Sequence, residues 1–369
     1  MDMAMPDKVS REAKRYSRLK YILAIADTAY LFAVVFLFQV LGLSRVLALK
    51  VSGLTVNPYL IVTAYLLIAY LIYSILDLPL TLYRSFMVER KFGLTNQKLG
   101  DWFKDQVKAW TISYLILAIL FCSFYYVLRS YPHNWWLVVS IAWIFFSLVL
   151  AKLVPVVIIP IFFKYKPLSD AGLRDRIRDL ASKSKVEILD VFEIDLSKKT
   201  LKANAAFVGW GATKRVILAD TLKDKYSHDE IEVILAHEFA HYKLKHLIKL
   251  IAVNAAGTLV SFYVIFRSSG YFLSIFGVSG LSDIAGFPVI VMYLMILGVI
   301  MQPLANFISR RFERDADMMA LEVTGAKGAF ISMMEKLSLQ NLADRNPHPL
   351  VKFFFFDHPP IDERIASVK

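Results

Sequence analysis

Two histidines and a glutamate near the middle of the chain are spaced for metal chemistry. The segment His237-Glu238-Phe239-Ala240-His241 matches the HExxH pattern, in which two histidines four residues apart share one face of a helix. Both imidazoles can then bind one Zn²⁺ ion, and Glu238 is placed to hold and deprotonate a water molecule on that metal. The pattern predicts zinc-dependent hydrolysis of peptide bonds, and the alternative is a charged helix surface in which these side chains are solvated.

The pattern needs a third metal ligand from elsewhere in the chain. A metzincin would have a histidine ten residues after the first, but Leu247 stands there. The neighbouring His246 would point elsewhere on a continuous helix, so we interpret it as a basic residue at the membrane interface. The best candidate is Glu313, because catalytic zinc often takes two histidines and a glutamate. Asp317 is one helical turn further on, where it could accept the free N–H of a ligand histidine and fix its tautomer.

The elements that carry these residues are predicted to be membrane helices. Ser227 and Glu230 form a capping box that begins a helix, and no proline or glycine follows until Gly257. One helix could therefore run through residues 231–266. Glu313 likewise follows the last apolar span directly, which predicts a metal site near the cytoplasmic face of the membrane. The alternative for the segment around Glu313 is a solvated run of charges beside a span.

The composition is that of a membrane protein with several spans. Of 369 residues, 57% are hydrophobic and 20% are charged, whereas soluble domains have roughly 45–50% and about 25%. This excess argues against a soluble enzyme and against intrinsic disorder. The single cysteine, Cys122, excludes an internal disulfide framework and a multi-cysteine metal site. Six apolar segments have at least 20 residues each, enough to cross a bilayer: 21–43, 59–82, 109–128, 136–163, 247–266 and 286–309.

The net charge of +12 indicates membrane topology rather than a nucleic-acid-binding face. Basic residues are concentrated before the first span and in the connection 83–108, and the alternate connections hold few of them. By the positive-inside rule, both termini, 83–108 and 164–246 face the cytoplasm. We expect no nucleic-acid partner. The expected partners are the lipid bilayer and a peptide or protein substrate.

These observations divide the chain into five parts. They are a cytoplasmic N-terminal segment 1–20, four spans in 21–163 with the cytoplasmic connection 83–108, a cytoplasmic catalytic portion 164–246 that ends in the HExxH helix, two spans in 247–309, and a cytoplasmic C-terminal portion 310–369. A small α+β unit is predicted within 164–246. A helical pattern covers 169–184, and strand-like segments cover 186–196, 203–208 and 215–218, the last two of which flank 209–214. The expected fold class is an all-α membrane protein with this small cytoplasmic α+β catalytic portion.

Polar residues inside the spans predict contacts within the helix bundle. Such side chains usually face a bundle interior or a water-filled cavity. They are Asp27, Lys152, Lys249, Asn254, Gln302 and Asn306, of which Lys249 and Asn306 could also extend from helix ends towards the interface.

Several motifs together resemble the integral-membrane zinc metalloproteases called CAAX prenyl protease 1. They are the HExxH helix, the pair Glu313 and Asp317, the tail segments 346–350 and 357–364, and the segments 78–83 and 89–96. The resemblance extends from the first span onward. It implies a helical barrel around a water-filled chamber. It also implies one zinc ion per chain on His237, His241 and Glu313, with Glu238 as general base and Asp317 supporting the ligands from behind.

The resemblance also implies residues that act on the substrate. His358 matches a position that stabilises the tetrahedral oxyanion, and Arg364 lies close to it in the same motif. Asn204 matches an edge strand that pairs with an extended substrate, an arrangement that holds peptide backbone whatever its side chains. From the residues alone, His358 could instead cap a helix and Asn204 could be a turn residue.

Departures from the eukaryotic members favour a prokaryotic relative. Six spans are predicted where those members have seven, and the C-terminal residues 366–369 lack a dilysine retrieval pattern. A bacterial inner membrane is therefore favoured over the endoplasmic reticulum. The expected substrate is a C-terminal CAAX-like or membrane-associated protein, with or without a prenyl group.

Three other functions remain open at this point. A heat-shock type of membrane zinc protease uses a similar site, but its members are shorter and lack the full tail motif. A membrane di-iron oxygenase or desaturase also uses HxxxH, but it needs several histidine clusters, and this chain has 7 histidines in all. An inactive scaffold or a transporter would not require the intact Glu238.

Overall fold

The structure of the chain is a computed structural model that describes residues 7–209 and 214–368. Within these residues, six helical stretches are long and apolar enough to cross a membrane, as predicted. Most extend beyond the predicted spans, because more polar residues at their ends continue the helices. The main helices of these stretches are α1 (Asp7–Val40), α3 (Pro58–Leu82), α5 (Leu99–Ser130), α6 (Trp135–Leu153), α11 (His246–Ile275) and α12 (Phe287–Thr324).

Shorter helices connect the spans or lie in the portions between them. After α6, residues Val154–Ile158 form a π-helical turn that leads into α7. Pro155 has no N–H to donate, so the regular helical hydrogen bonding is interrupted there. The shorter helices are α2 (Leu43–Ser52), α4 (Val88–Lys91), α7 (Ile159–Phe162), α8 (Ala171–Lys183), α9 (Asp220–Lys223), α10 (His228–Lys243), α13 (Lys327–Gln340), α14 (Pro349–Phe355) and α15 (Ile361–Ala366).

Polar residues within the spans are arranged in three ways. Asp27 of α1 forms an ion pair with Arg84, which follows α3. Asn306 is buried in α12 and its side-chain amide donates to the carbonyl of Phe354 at 2.7 Å. Asn254 lines a cavity of about 580 Å³ between α6, α11 and α12. Lys152, in contrast, is exposed at the end of α6, so the expectation of interior contacts does not hold for every one of these residues.

A four-stranded sheet forms the centre of the predicted α+β unit. Its strands are β1 (Tyr165–Pro167), β2 (Asp190–Ile194), β3 (Ala205–Val208) and β4 (Arg215–Ala219), in the order β1-β2-β4-β3. β2 and β4 are parallel, and the other two pairs are antiparallel. β3 is thus an edge strand. Three of the four strands were predicted. β1 is too short to produce an alternating pattern, and residues 210–213 of the predicted connection lie outside the described residues.

The helix that carries HExxH is held between the sheet and two other helices. Ile231, Leu235 and Phe239 recur every four residues along α10 and are completely buried. This stripe belongs to one apolar cluster with residues of β2, β4, α8 and α13. An amphipathic helix buried along one stripe has a fixed rotation about its axis. The adjacent face, with His237 and His241, is therefore directed towards α12.

The HExxH helix and the following membrane helix are separate, and the prediction of one helix through residues 231–266 is wrong. α10 ends at Lys243 and α11 begins at His246. Between them, Lys245 has a left-handed backbone with φ of 57°. Sequence patterns place such breaks at glycine, because another residue pays about 1–2 kcal/mol for this conformation. Contacts made by the residues beyond the break must offset that cost. α12, in contrast, continues without a break from its apolar part through Glu313, as predicted.

Removing the Glu230 carboxylate is expected to destabilise α10. Glu230 completes the predicted capping box by accepting from the Ser227 N–H at 2.8 Å, and it also accepts from Ser332 and Lys336 of α13, both at 2.7 Å. Glu230→Ala is expected to cost about 1–3 kcal/mol, because buried donors lose their acceptor. Thermal unfolding in detergent measures this, with the exposed Glu322→Ala as control.

The loss of stability in Glu230→Ala is expected to depend on pH. Burial alone would raise the pKa of Glu230, but hydrogen bonds from Lys336 and Ser332 outweigh it and lower the pKa below the ordinary value of 4.5. A carboxyl whose pKa is lowered in the folded state stabilises that state fully at a pH above the unfolded-state pKa. This stabilisation is lost as the pH falls through the folded-state pKa. The Tm difference between wild type and Glu230→Ala should therefore be full at pH 7 and shrink below pH 4.5. A difference that stays constant over this range contradicts the assignment.

Candidate metal centre and active-site cleft

The two histidines of HExxH and a glutamate that is distant in the sequence converge on one point. Nε2 of His237 lies 3.1 Å from Nε2 of His241, and both nitrogens lie 3.2 Å from carboxylate oxygens of Glu313. Tetrahedral zinc with bonds of about 2.0–2.1 Å requires donor atoms about 3.3 Å apart, so the spacing fits. In addition, Oε2 of Glu313 is buried and has no hydrogen-bond donor among the described residues. The three predicted ligands thus form a donor set that a divalent metal fits.

Two packed helices bring these donors together. α10 supplies both histidines from successive turns, and α12 supplies Glu313 where it crosses α10. Glu313 is only 5% exposed, so its charge is removed from water and requires a positive partner. A metal cation between the histidines and this carboxylate provides that partner.

Behind the donor set, Asp317 contacts His237 as predicted. Its Oδ1 lies 2.9 Å from Nδ1 of His237. Arg364 of α15 approaches the same carboxylate from the other side, and its Nε donates to Oδ2 at 2.7 Å. Sequence reasoning placed Arg364 near the oxyanion but did not predict this contact. The ion pair ties the C-terminal helix to the metal-binding face of α12.

His246 lies inside the site, and its interpretation as an interfacial basic residue is wrong. It is 1% exposed, its Nδ1 is 3.0 Å from Nδ1 of His241, and its ring stacks on Phe312 with centroids 4.4 Å apart. On a continuous helix it would lie about 140° around the axis from His241. The left-handed residue Lys245 redirects the chain and brings His246 back beneath the ligand. No helical spacing in the sequence indicates this contact.

A cleft of about 550 Å³ opens over the donor set. It contains Glu238, whose pKa is raised by burial, while the neighbouring His237 and His241 act in the opposite direction. The first helix also lines this cleft, a contribution that the sequence did not reveal because the pattern of α1 indicates only a membrane span. The other predicted residues on the cleft wall are Asn204, His358 and Arg364.

His358 reaches the edge of the donor set. Its Nε2 is 3.4 Å from Oε1 of Glu313, and its Nδ1 is 2.8 Å from Oδ1 of Asp357. Burial opposes a charge on this ring, but Asp357 and Glu313 outweigh it and raise the pKa of His358. The raised pKa favours the protonated form, which can donate a hydrogen bond into the cleft.

Asn204 stands at the start of the edge strand. Its carbonyl accepts from the N–H of Ala219, which continues the β3–β4 ladder by one bond of 3.1 Å. β4 occupies one edge of β3, and no other described strand pairs with the opposite edge. Asn204, Ala205 of the edge strand and His237 of the donor set line the same cleft.

The sequence model described as peptidase family M48 matches residues 167–369, which is more than half of the chain. The chain belongs to this family. A second model, described as the CAAX prenyl protease N-terminal region with five membrane helices, matches residues 2–164. The M48 match covers β2, β3, β4, the HExxH helix and the tail motifs, so it includes every predicted metal ligand.

Individual proteins agree with the M48 assignment. An uncharacterized metalloprotease, YhfN of Bacillus subtilis, is 30% identical over 361 residues, covering 97% of this chain and 84% of that protein. CAAX prenyl protease 1 of Saccharomyces cerevisiae is 30% identical over 316 residues, covering 80% of this chain and 69% of the yeast protein. The crystal structure of S. mikatae Ste24p is similar, with a TM-score of 0.90 and 26% sequence identity. The match covers 100% of this chain and 90% of the Ste24p chain.

These findings confirm the predicted fold class and the resemblance to CAAX prenyl protease 1. The protein is a multi-pass integral membrane metalloprotease, with a peptide or protein as substrate and a metal ion as cofactor. They also support the metalloprotease over the oxygenase and scaffold hypotheses.

Proposed function

We propose that this M48 protease is a zinc-dependent endopeptidase that cleaves near the C-terminus of CAAX-like or membrane-associated proteins. The observation that carries the proposal is the convergence of His237, His241 and Glu313, with His237 and the adjacent Glu238 on the wall of one cleft. The similarity to CAAX prenyl protease 1 of Saccharomyces cerevisiae supports the substrate class. A CAAX sequence ends in a cysteine, two aliphatic residues and a variable residue, with the prenyl group on the cysteine.

The cofactor in this proposal is one zinc ion per chain. His237, His241 and Glu313 would hold it, because two imidazoles and one carboxylate are a common ligand set of catalytic zinc. Bound zinc supplies Lewis acidity, which lowers the pKa of a water molecule to about 7 and polarises a carbonyl. Asp317 keeps the proton of His237 on Nδ1, and Arg364 holds Asp317 in that position.

The proton transfers are assigned to Glu238 and the charge stabilisation to His358. Glu238 accepts a proton from the attacking water and delivers it to the leaving amine. Its raised pKa supports this role, since a base that must later act as an acid works best with a pKa near the operating pH. His358 donates a hydrogen bond to the oxygen that becomes negative when the scissile carbonyl is attacked. Arg364 contributes positive charge from behind, through its ion pair with Asp317.

An extended substrate is proposed to pair with the edge strand. Among the described strands, β3 is paired along one edge only, and Asn204 and Ala205 at its start lie on the cleft wall. Backbone hydrogen bonds to such an edge hold a peptide independently of its sequence. Side-chain preference must then arise from the cleft wall, which includes residues of α1.

The proposed topology places the metal centre at the cytoplasmic side. The basic segments before the first span and in residues 83–108 support cytoplasmic termini by the positive-inside rule. In the five-part division of the chain, the parts 164–246 and 310–369 then meet on this side. The similarity to a Bacillus subtilis protein supports a bacterial inner membrane as the location.

Metal analysis and peptide cleavage by the detergent-purified protein test the function. We expect one zinc per chain, cleavage that stops with a chelator and returns with zinc, and faster turnover of a prenylated CAAX peptide than of the same peptide without the prenyl group. Equal turnover of both peptides would favour a general membrane-protein protease of the heat-shock type. Two irons per chain, or zinc without any cleavage, would overturn the proposal.

Replacing His358 is expected to slow the chemical step without releasing the metal. Loss of one oxyanion donor costs about 10²–10³-fold in kcat, so His358→Ala should fall in that range with its zinc content unchanged. Steady-state kinetics and metal analysis on the same sample measure both quantities. His133→Ala, in an exposed connection between α5 and α6, is the matched control. An unchanged kcat in His358→Ala would remove His358 from the mechanism.

A further inference from the structure

We infer that His246 is a positioning residue of the metal centre: its Nδ1 accepts a hydrogen bond from the Nδ1–H of His241, which leaves Nε2 of His241 free to bind the metal. This inference rests on the proposed metal site. It assigns a role to a histidine outside HExxH that the proposed reaction does not otherwise use.

The two ring nitrogens of His241 face different groups. Nε2 faces the donor set, 3.1 Å from Nε2 of His237 and 3.2 Å from Oε1 of Glu313. A nitrogen that binds a metal must be unprotonated, so the proton of the neutral ring is then on Nδ1. Nδ1 lies 3.0 Å from Nδ1 of His246, within hydrogen-bond distance. In the metal-binding state, His246 must therefore be the acceptor.

The opposite proton arrangement would prevent metal binding. If His246 donated from its Nδ1, neutral His241 would carry its proton on Nε2, directed at Glu313. That proton would occupy the position of the metal. The contact between the two histidines therefore selects between a metal-binding and a metal-excluding form of His241.

His246 is held in place by the same helix that supplies the carboxylate ligand. Its ring stacks on Phe312, the residue before Glu313, with ring planes 8° apart. The left-handed backbone at Lys245 is what allows the chain to turn and present His246 to His241. When Nδ1 of His246 accepts, its own proton is on Nε2, which is buried and has no hydrogen-bond partner among the described residues. A buried donor without a partner costs stability, and this cost is accounted for if the arrangement serves the metal site.

The two ligand histidines thus have different supporting partners. His237 is supported by the carboxylate of Asp317, and His241 by an uncharged imidazole. Glu313 and Asp317 already bring two negative charges to the site, and Arg364 pairs with one of them. A neutral acceptor behind His241 fixes its orientation without adding a third buried negative charge.

Two substitutions separate the hydrogen bond from the packing. His246→Phe keeps an aromatic ring for stacking on Phe312 and removes the acceptor. His246→Asn retains an acceptor, since the amide oxygen of asparagine can occupy the place of Nδ1. His133→Phe makes the same change of side chain at an exposed position and is the control.

The readouts are zinc affinity by competition with a chelator, the zinc dissociation rate, and the visible spectrum of the Co²⁺-substituted protein. Loss of such a supporting partner typically weakens metal binding about 10–100-fold, so we expect this loss in His246→Phe and a loss of less than about 3-fold in His246→Asn. The Co²⁺ spectrum should change in His246→Phe alone. Equal zinc affinity and dissociation rate in wild type and His246→Phe would overturn the inference.

Folding and the proposed function are tested separately from this inference. The rise in Tm caused by zinc is measured against each variant's own metal-free state, so a general loss of stability does not enter the comparison. If His246→Phe does not fold, His246→Leu and His246→Asn, which have similar shapes, provide the same contrast. A wild type that binds no zinc would reject the proposed function, whereas a wild type and His246→Phe that bind it equally would reject only the role of His246.

Discussion

Glu238→Gln is expected to abolish peptide cleavage while the metal stays bound. The amide has almost the same size as the carboxylate, but it cannot accept the proton of the attacking water or return it to the leaving amine. General acid–base catalysis contributes about 10²–10⁴-fold, and Glu238 is assigned both transfers, so kcat should fall by at least about 10³-fold. That corresponds to about 4 kcal/mol of transition-state stabilisation.

Metal content decides how a loss of activity in Glu238→Gln is interpreted. Glu238 does not belong to the donor set of His237, His241 and Glu313, so the variant should retain one zinc per chain. Glu187→Gln, an exposed carboxylate of the same α+β portion, is the matched control and should cleave at the wild-type rate. If Glu238→Gln cleaves peptides like wild type, the assignment of the general base is wrong.

Glu313→Ala is expected to lose the metal and, with it, the activity. Glu313 is the only carboxylate in the donor set found among the described residues, and it comes from a different helix than the two histidines. Without it, two imidazoles on one helix remain. We expect zinc affinity to fall by more than the roughly 10–100-fold typical of a supporting residue. Cleavage should be undetectable at a free zinc concentration that is sufficient for full activity of the wild type.

The fold of Glu313→Ala should survive, because the substitution removes a buried carboxylate whose Oε2 has no hydrogen-bond donor in the described part of the chain. Metal analysis after dialysis and thermal unfolding of the metal-free protein measure the two effects separately. Asp315→Ala, two residues away on the same helix and exposed, is the matched control. A Glu313→Ala protein that still holds one zinc per chain would require a different third ligand.

Together, the two substitutions distinguish a base from a ligand. We expect Glu238→Gln to be inactive with its zinc still bound. We expect Glu313→Ala to be inactive because it has lost the zinc. Loss of zinc in both variants would make Glu238 part of the metal site itself, whereas the donor set among the described residues consists of His237, His241 and Glu313.

Much of the site was predictable because its signals are local. HExxH needs only the helical repeat to bring His237 and His241 to one face, and the capping box at Ser227 and Glu230 appears as predicted. The six spans follow from the lengths of apolar runs, which a bilayer requires wherever the helices later pack. Three strands were recognised from alternation, whereas β1 has three residues, too few for a pattern.

The contacts between distant segments required more than local signals. Glu313 and Asp317 were selected because of their chemistry and spacing, but the distances to His237 and His241 depend on how α12 crosses α10. The ion pair of Arg364 with Asp317 was not predicted. A periodic pattern shows which face of a helix is buried and leaves open which helix covers that face.

By itself, the sequence determined the membrane class, the number of spans, the metal-binding motif and the residue types of its ligands. Only the tertiary structure decided that α1 lines the cleft, that the HExxH helix ends before α11 begins, and that His246 lies against His241. The last two features have the same physical reason. A left-handed lysine or an unpaired buried nitrogen is unfavourable locally and is retained only when contacts from elsewhere in the chain outweigh its cost.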